Sequence, residues 1–236
     1  MAGFKTHITG STLLGVGYGA GAYLAYGVPW PTCALAAGLC SVSGMLPDLD
    51  SDSSTPQRES MAFSSAVVPM MMLHRFQHWG MSHESIILAG AAIYLLIRFG
   101  ASALLKHFTV HRGVFHSLPA AAVFGEIAFL LASGDVEIRI YKAAAVVIGY
   151  LSHLVLDEIY SIQWNQGRLR LKKSFGTALK LFGQGTWGNV SVYAQLAVLT
   201  AVILFEPQMQ QPLDQSAISS SRPQTATRLI DHILHR

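Results

Sequence analysis

Three short stretches of this sequence bring together side chains that bind metals. HRGVFHS, from His111 to Ser117, carries two imidazoles five residues apart. That spacing does not put both on one helix face, so it suits a loop-to-helix junction, with Gly113 allowing the bend and both rings able to turn inward. The alternative is a pair of interfacial histidines. MLPDLDSDSS places Asp48, Asp50 and Asp52 directly after an apolar segment. Carboxylates at the mouth of a membrane helix are costly unless hydrated, paired or bound to a cation. Asp48 and Asp50 can point the same way in an extended stretch or bracket one ion in a turn, whereas Asp52 reads as solvated. Helix-capping aspartates in a polar loop are the plainer reading.

In GYLSHLVLDEIYS, His153 and Asp157 are four apart in a strongly helical stretch and share a face. They can coordinate one metal together, or the carboxylate can orient the imidazole; a pair that only holds the bundle together is the bland alternative. His7, in THITGS just before the first apolar segment, gains meaning only in company with these.

The elements that must position these groups are apolar. Of 236 residues, 51% are hydrophobic and 12% charged, where soluble domains carry about 25% charged residues. Seven apolar segments follow one another, at 11–28, 31–46, 61–73, 85–105, 118–132, 143–156 and 190–206. They are rich in Ala, Leu and Gly, lack period-two alternation, and include the small-residue face Gly15, Gly19 and Ala22, all of which favours helices over strands. The expected fold is all-α, a polytopic transmembrane bundle with about five to seven membrane-embedded helices. A span needs about 17–20 apolar residues, so 11–28, 85–105 and 190–206 qualify outright, while 61–73 and 143–156 must extend into flanking residues or stay buried. Pro29 and Pro31 mark a tight first connection. Residues 1–206 form the expected membrane domain, and 207–236, rich in Gln, Ser and Pro, an expected flexible polar tail.

Two apolar segments separate each motif region from the next, so all four regions emerge on one side if every segment crosses. That side carries nine Lys and Arg residues against Arg75, Arg139 and Lys142 opposite. The bias predicts a cytoplasmic motif face. A net charge of +3 with no basic run gives no reason to expect nucleic acid; membrane lipid, with a phosphorylated or lipid substrate, is the expected partner. Cys33 and Cys40 lie two turns apart on one face and read as buried thiols. His74, His78 and His83 fall on the opposite side, where a surface role outweighs a second metal site. Arg98 and Glu126, inside apolar segments, must snorkel, pair or face a polar cavity.

His7, LPDLD, HRGVFHS and GYLSHLVLD, in that order over residues 3–160, resemble the YdjM-like family of inner-membrane, metal-dependent hydrolases. Two positions depart from the family pattern. Ser51 stands where a histidine usually follows LPD-x-D, and Phe115 where the second motif usually has Thr. A more distant similarity is to zinc-dependent phospholipase C and the P1-type nucleases, whose H-x-x-x-D element His153 and Asp157 match; it favours phosphoester hydrolysis. The expected metal ligands are His7, Asp48, Asp50, His111, His116, His153 and Asp157. This donor set suits zinc first and manganese or iron next, as two metals or as one with some of the seven outside its coordination sphere. Such a centre would lower the pKa of bound water from about 15.7 toward about 7. Asp48 and Arg112 are the expected catalytic groups, Arg112 stabilising developing negative charge. Lys172 and Lys173 are expected mainly as positive-inside charge, and KSFGTALKLF, from Lys173 to Phe182, as an interfacial lid or a short soluble helix. A divalent-cation transporter or sensor, or a non-catalytic scaffold, are the rival readings.

Overall fold

The computed structural model describes residues 3–50, 54–101, 115–165, 168–171, 179–183 and 185–206, with the backbone alone at 50, 54, 55, 101, 162–165 and 168–171. It is a helical bundle. Helix α1 (Phe4–Tyr26) ends at Gly27, whose φ of 65° is a left-handed turn that glycine adopts without strain. Pro29 caps α2 (Trp30–Ser43) and Pro31 sits in its first turn, so the two prolines close the hairpin as their positions predict. A 3₁₀ turn (Leu46–Asp50) leads to α3 (Ser54–Met71), α4 (Leu73–His78) and α5 (His83–Leu95), which runs on into a π-helical turn (Leu96–Ala101).

Among the described residues, helices α6 (Leu118–Leu131), α7 (Val136–Ser161) and α8 (Thr186–Leu204) follow. Between α7 and α8 lies a departure from all-helical structure. Strands β1 (Ile162–Asn165) and β2 (Arg168–Leu171) pair antiparallel, with Ile162 opposite Leu171. Arg-Leu-Arg-Leu alternates with period two, a short signal that the long apolar blocks overshadow.

Among the described residues, three helices are long and apolar enough to cross a membrane: His83–Gly100, Val136–Ser161 and Thr186–Leu204. The short segment 143–156 reaches spanning length by extending back to Val136; its 26 residues cover about 39 Å at 1.5 Å per residue. The first segment departs from expectation. With 23 residues α1 is long enough, but its glycines, serine and threonines dilute it, and it is not among those three. Helices α2 and α6 are shorter apolar helices. Exposed Leu13 and Leu24 on α1, Ile87 and Leu88 on α5, and Val198 and Leu204 on α8 supply apolar outer surface suited to lipid.

The interior is built by close approach of backbones. The buried stripe of α1 is His7, Ser11, Gly15, Gly19 and Ala22, at helical spacing. A Cβ on Gly15 would lie 2.6 Å from the Ala37 carbonyl oxygen, and one on Gly149 of α7 would lie 2.0 Å from that of Cys40. Only glycine lets α1, α2 and α7 come this near, and in lipid such packing contributes more than apolar burial does. Cys33 and Cys40 are buried free thiols on α2, sharing its face with Ala36. On the far side of α7, Tyr150 and Leu154 pack on Ala120 and Ala121 of α6. Glu126 on α6 pairs rather than snorkels, accepting a hydrogen bond from Thr200 Oγ1 of α8 at 2.5 Å. Arg98 lies over the Phe99 ring, 6.0 Å from its centre.

Candidate metal centre

Each element that meets at one end of α7 delivers one or two polar side chains. His7 stands near the start of α1, at the end of its small-residue stripe. One turn on, the Ser11 hydroxyl lies 2.7 Å from the Ser41 carbonyl oxygen, fixing this part of α1 to α2. Asp48 is on the 3₁₀ turn that follows α2. His116 immediately precedes α6, where Ser117 caps the helix by accepting from the Ala120 N–H and Pro119 occupies the first turn. The HRGVFHS motif therefore does end at a loop-to-helix junction. The Tyr150 hydroxyl donates to the Phe115 carbonyl, holding the backbone beside His116. His153 and Asp157 project from one face of α7 and are both buried.

These five side chains converge. Four ligand atoms alternate around a closed ring: His116 Nε2 to Asp48 Oδ1 is 3.6 Å, Asp48 Oδ1 to His153 Nε2 3.6 Å, His153 Nε2 to Asp157 Oδ2 3.6 Å, and Asp157 Oδ2 back to His116 Nε2 3.7 Å. These separations exceed hydrogen-bond length. An ion at the centre of such a ring has bonds of roughly 2.2–2.6 Å before the side chains adjust, within a few tenths of the usual zinc–nitrogen and zinc–oxygen distances. His7 reaches the other oxygen of Asp157, with Nε2 3.3 Å from Oδ1, and its ring stacks on His153 at 3.6 Å between centres. Two triads, His7–Asp48–His153 and His116–His153–Asp157, hold their ligand atoms within 4.8 Å of one another.

The hydrogen bonding of His153 decides what its ring can do. Nδ1 is 2.8 Å from the Gly44 carbonyl oxygen, which can only accept, so Nδ1 carries the proton. If the ring is neutral, the Nε2 lone pair then faces two carboxylate oxygens. That arrangement is repulsive unless a cation stands between them. Nε2 of His153, Nε2 of His116 and Nδ1 of His7 are all buried and have no hydrogen-bond partner among the described residues. Protonating the rings is a poor remedy, because two stacked imidazolium ions this close repel. One divalent ion would balance Asp48 and Asp157 with three neutral imidazoles, and since His153 has a single free nitrogen, the described ligands fit one ion.

Burial pushes the Asp48 carboxyl up, but the approach of His116 and the charges that His153, His116 and His7 can carry outweigh it, holding the group below its ordinary range. A bound cation acts in the same direction. Asp48 and His116 are the more exposed members of the ring, at 24% and 12%, while Asp157 is 4% exposed and His153 0%. Water can approach from the Asp48–His116 edge.

Of the expected ligands, five are thus brought together. His111, Arg112, the Asp50 side chain, Ser51, Asp52, Lys172 and Lys173 lie outside the described residues, as do most of 173–182 and the tail 207–236. His74 and His78 belong to neither triad. Gly44 was not anticipated. A Cβ there would lie 2.4 Å from Ser11 Oγ, so the residue must be small for α1 to seat and for its carbonyl to meet His153. Its only trace in the sequence is a Ser-Gly pair closing an apolar segment.

Fold and site together define a membrane-embedded helical protein with a histidine–aspartate cluster at one end of its bundle. The chain belongs to the YdjM inner membrane protein family, which it matches over residues 1–206. Comparison with curated proteins gives no match, and neither does comparison with solved structures.

Proposed function

We propose that this protein is a membrane-bound, metal-dependent hydrolase acting on a phosphoester or lipid-linked substrate. The observation that carries the reading is the His153 ring, committed by Gly44 to present its one free nitrogen to two carboxylates inside a buried cluster. A purely structural cluster would leave fewer buried imidazole nitrogens without partners.

Zinc is the first choice for the three-imidazole, two-carboxylate set, with manganese or iron next. A divalent metal held there supplies Lewis acidity, which makes hydroxide available near neutral pH and polarises a phosphoryl oxygen. His153, His116, Asp48 and Asp157 are the holding groups, and His7 positions Asp157 through its second oxygen. Asp48, on the open edge, is placed to take the proton that the attacking water must lose as its oxygen bonds to phosphorus and the ester oxygen departs. Asp50, His111 and Arg112 belong to the same proposal, Arg112 as the counter-charge to the phosphoryl oxygens. The excess of Lys and Arg in the motif loops supports a cytoplasmic side for the centre.

Transport or sensing of a divalent cation is favoured less. His153 and Asp157 stand toward the end of α7 rather than at its middle, and the sequence shows no internal repeat of the kind that places transport sites at the midplane. Elemental analysis of detergent-purified protein, with His116→Ala and a panel of chromogenic phosphoesters, tests the proposal. Bound metal with turnover that the variant loses supports it. Metal-free protein overturns it, and bound metal without turnover on any ester moves the assignment to transport or sensing.

A further inference from the structure

The strap formed by residues 179–183, ahead of α8, is not helical, and its backbone is tied to two helices. At the start of α6 the Leu118 N–H donates to the Lys180 carbonyl at 3.0 Å. Tyr193 of α8 donates from its hydroxyl to the Leu181 carbonyl at 3.1 Å, and its ring packs on that of Phe182 with 5.4 Å between centres. The Asn189 side chain grips Gly183 from both directions, Oδ1 accepting from the Gly183 N–H at 2.6 Å and Nδ2 donating to its carbonyl at 3.0 Å. Leu118 is two residues from His116, so the strap meets α6 within about 7 Å of backbone from a member of the metal cluster.

The depth of the strap follows from α8. Its 19 residues cover about 28 Å at 1.5 Å per residue, close to the roughly 30 Å of a hydrocarbon core, so its first turn stands near the edge of that core. Exposed Trp187 sits in that turn, as an interfacial tryptophan does. Asn189 is about 4.5 Å along the axis from Thr186 and Tyr193 about 10 Å, and helical side chains lean back toward the N-terminus. The strap is therefore held beside the first two turns of α8 rather than ahead of them. Leu181 is 57% exposed and Phe182 66%, at the level of exposed Trp187 and Val190 on α8. Irregular backbone at such a depth needs partners within the protein, and the carbonyls of Lys180, Leu181 and Gly183 each have one.

We propose that the strap is immersed in the edge of the lipid leaflet, where Leu181 and Phe182 hold the acyl chains of a phospholipid and bring it to the His116 corner of the cluster. The immersion stands on the geometry of α8 alone. That the lipid held there is the substrate rests on the hydrolytic reading above, and it selects a lipid-borne phosphoester over a soluble one.

The test uses the full chain in vesicles of phosphatidylglycerol and phosphatidylcholine, with a nitroxide attached to Leu181→Cys or Phe182→Cys. The parent protein, whose Cys33 and Cys40 are buried, gives the background labelling. Val198→Cys, on the exposed apolar surface of α8, is the reference for lipid, and Arg58→Cys, at an exposed arginine, the reference for water. Spin relaxation by oxygen, which partitions into lipid, is compared with relaxation by a nickel chelate, which stays in water. Labels at 181 and 182 that resemble Val198 support immersion, and labels that resemble Arg58 overturn it. For the substrate, Leu181→Ser/Phe182→Ser should lower turnover of a phospholipid in mixed micelles by about tenfold relative to that of a short-chain, water-soluble phosphoester. An equal fall for the two esters, or none for the phospholipid, overturns the assignment of the lipid as substrate. Parent protein that turns over neither ester refutes the hydrolytic reading instead, and the labels still decide whether the strap lies in lipid.

Discussion

Replacing Gly149 by alanine tests whether backbone contact between α2 and α7 sets the metal cluster. The added methyl would lie 2.0 Å from the Cys40 carbonyl oxygen and 2.1 Å from Ser43 Oγ, where real contacts almost never fall below 3.0 Å. The helices must part by about 1 Å, and overpacking of this kind costs about 1–3 kcal/mol. His153 is one turn further along the same face, and its Nδ1 is 2.8 Å from Gly44. Parting the helices by the same amount takes that hydrogen bond beyond its useful range, removing about 0.5–1.5 kcal/mol more. Loss of an interaction that orients a ligating histidine lowers metal affinity by about 10–100-fold. The assay is metal content after dialysis against a weak chelator, with thermal unfolding in detergent. Gly17→Ala is the matched control, because a Cβ there meets nothing within 4 Å, and a helical Gly→Ala change in open space is neutral or gains up to about 1 kcal/mol. If the two variants retain metal equally and melt alike, the reasoning from close approach is wrong.

Four further outcomes are expected. Asp157→Asn should reduce metal retention by at least about tenfold while the chain still inserts, since the amide keeps the shape but not the charge; quantitative metal analysis checks this. Stripping the metal with a chelator should lower the melting temperature of the parent protein and leave that of Asp157→Asn nearly unchanged, because a ligand present at about 1,000 times its dissociation constant contributes about 4 kcal/mol. Tyr150→Phe, which removes the hydroxyl holding the Phe115 carbonyl, should cost about 1 kcal/mol in unfolding experiments and lower turnover with little change in metal content. Cys33 and Cys40, both buried, should resist a membrane-permeant maleimide in the folded protein and react once it is denatured, as mass spectrometry would read.

The helices were legible because apolar runs are features of the chain itself, and the four motif regions could be grouped because of where they fall between those runs. Asp157 could be placed beside His153 from helical periodicity alone. What periodicity does not carry is the approach of one backbone to another. The Gly44 carbonyl has no side chain to announce it, and its role follows from the seating of Ser11 against that glycine. For α7, the apolar block at 143–156 understates the helix, because Arg139 and Lys142 interrupt the hydropathy while satisfying Glu206 and the Ser133 carbonyl. The hairpin at 162–171 was hidden by its brevity. His111 and Arg112 rest on the sequence pattern.

The stacking of His7 on His153 joins α1 to α7, far apart along the chain. During synthesis α1 and α2 emerge long before α7 is made, so the polar end of α1 must wait, hydrated or chaperoned, for most of translation. Neither ring has its neighbour until α7 arrives, and truncation anywhere before His153 leaves a protein that can embed but has no centre to assemble. On the proposed function, metal loading would be a late event in biogenesis, and metal content would report completed insertion.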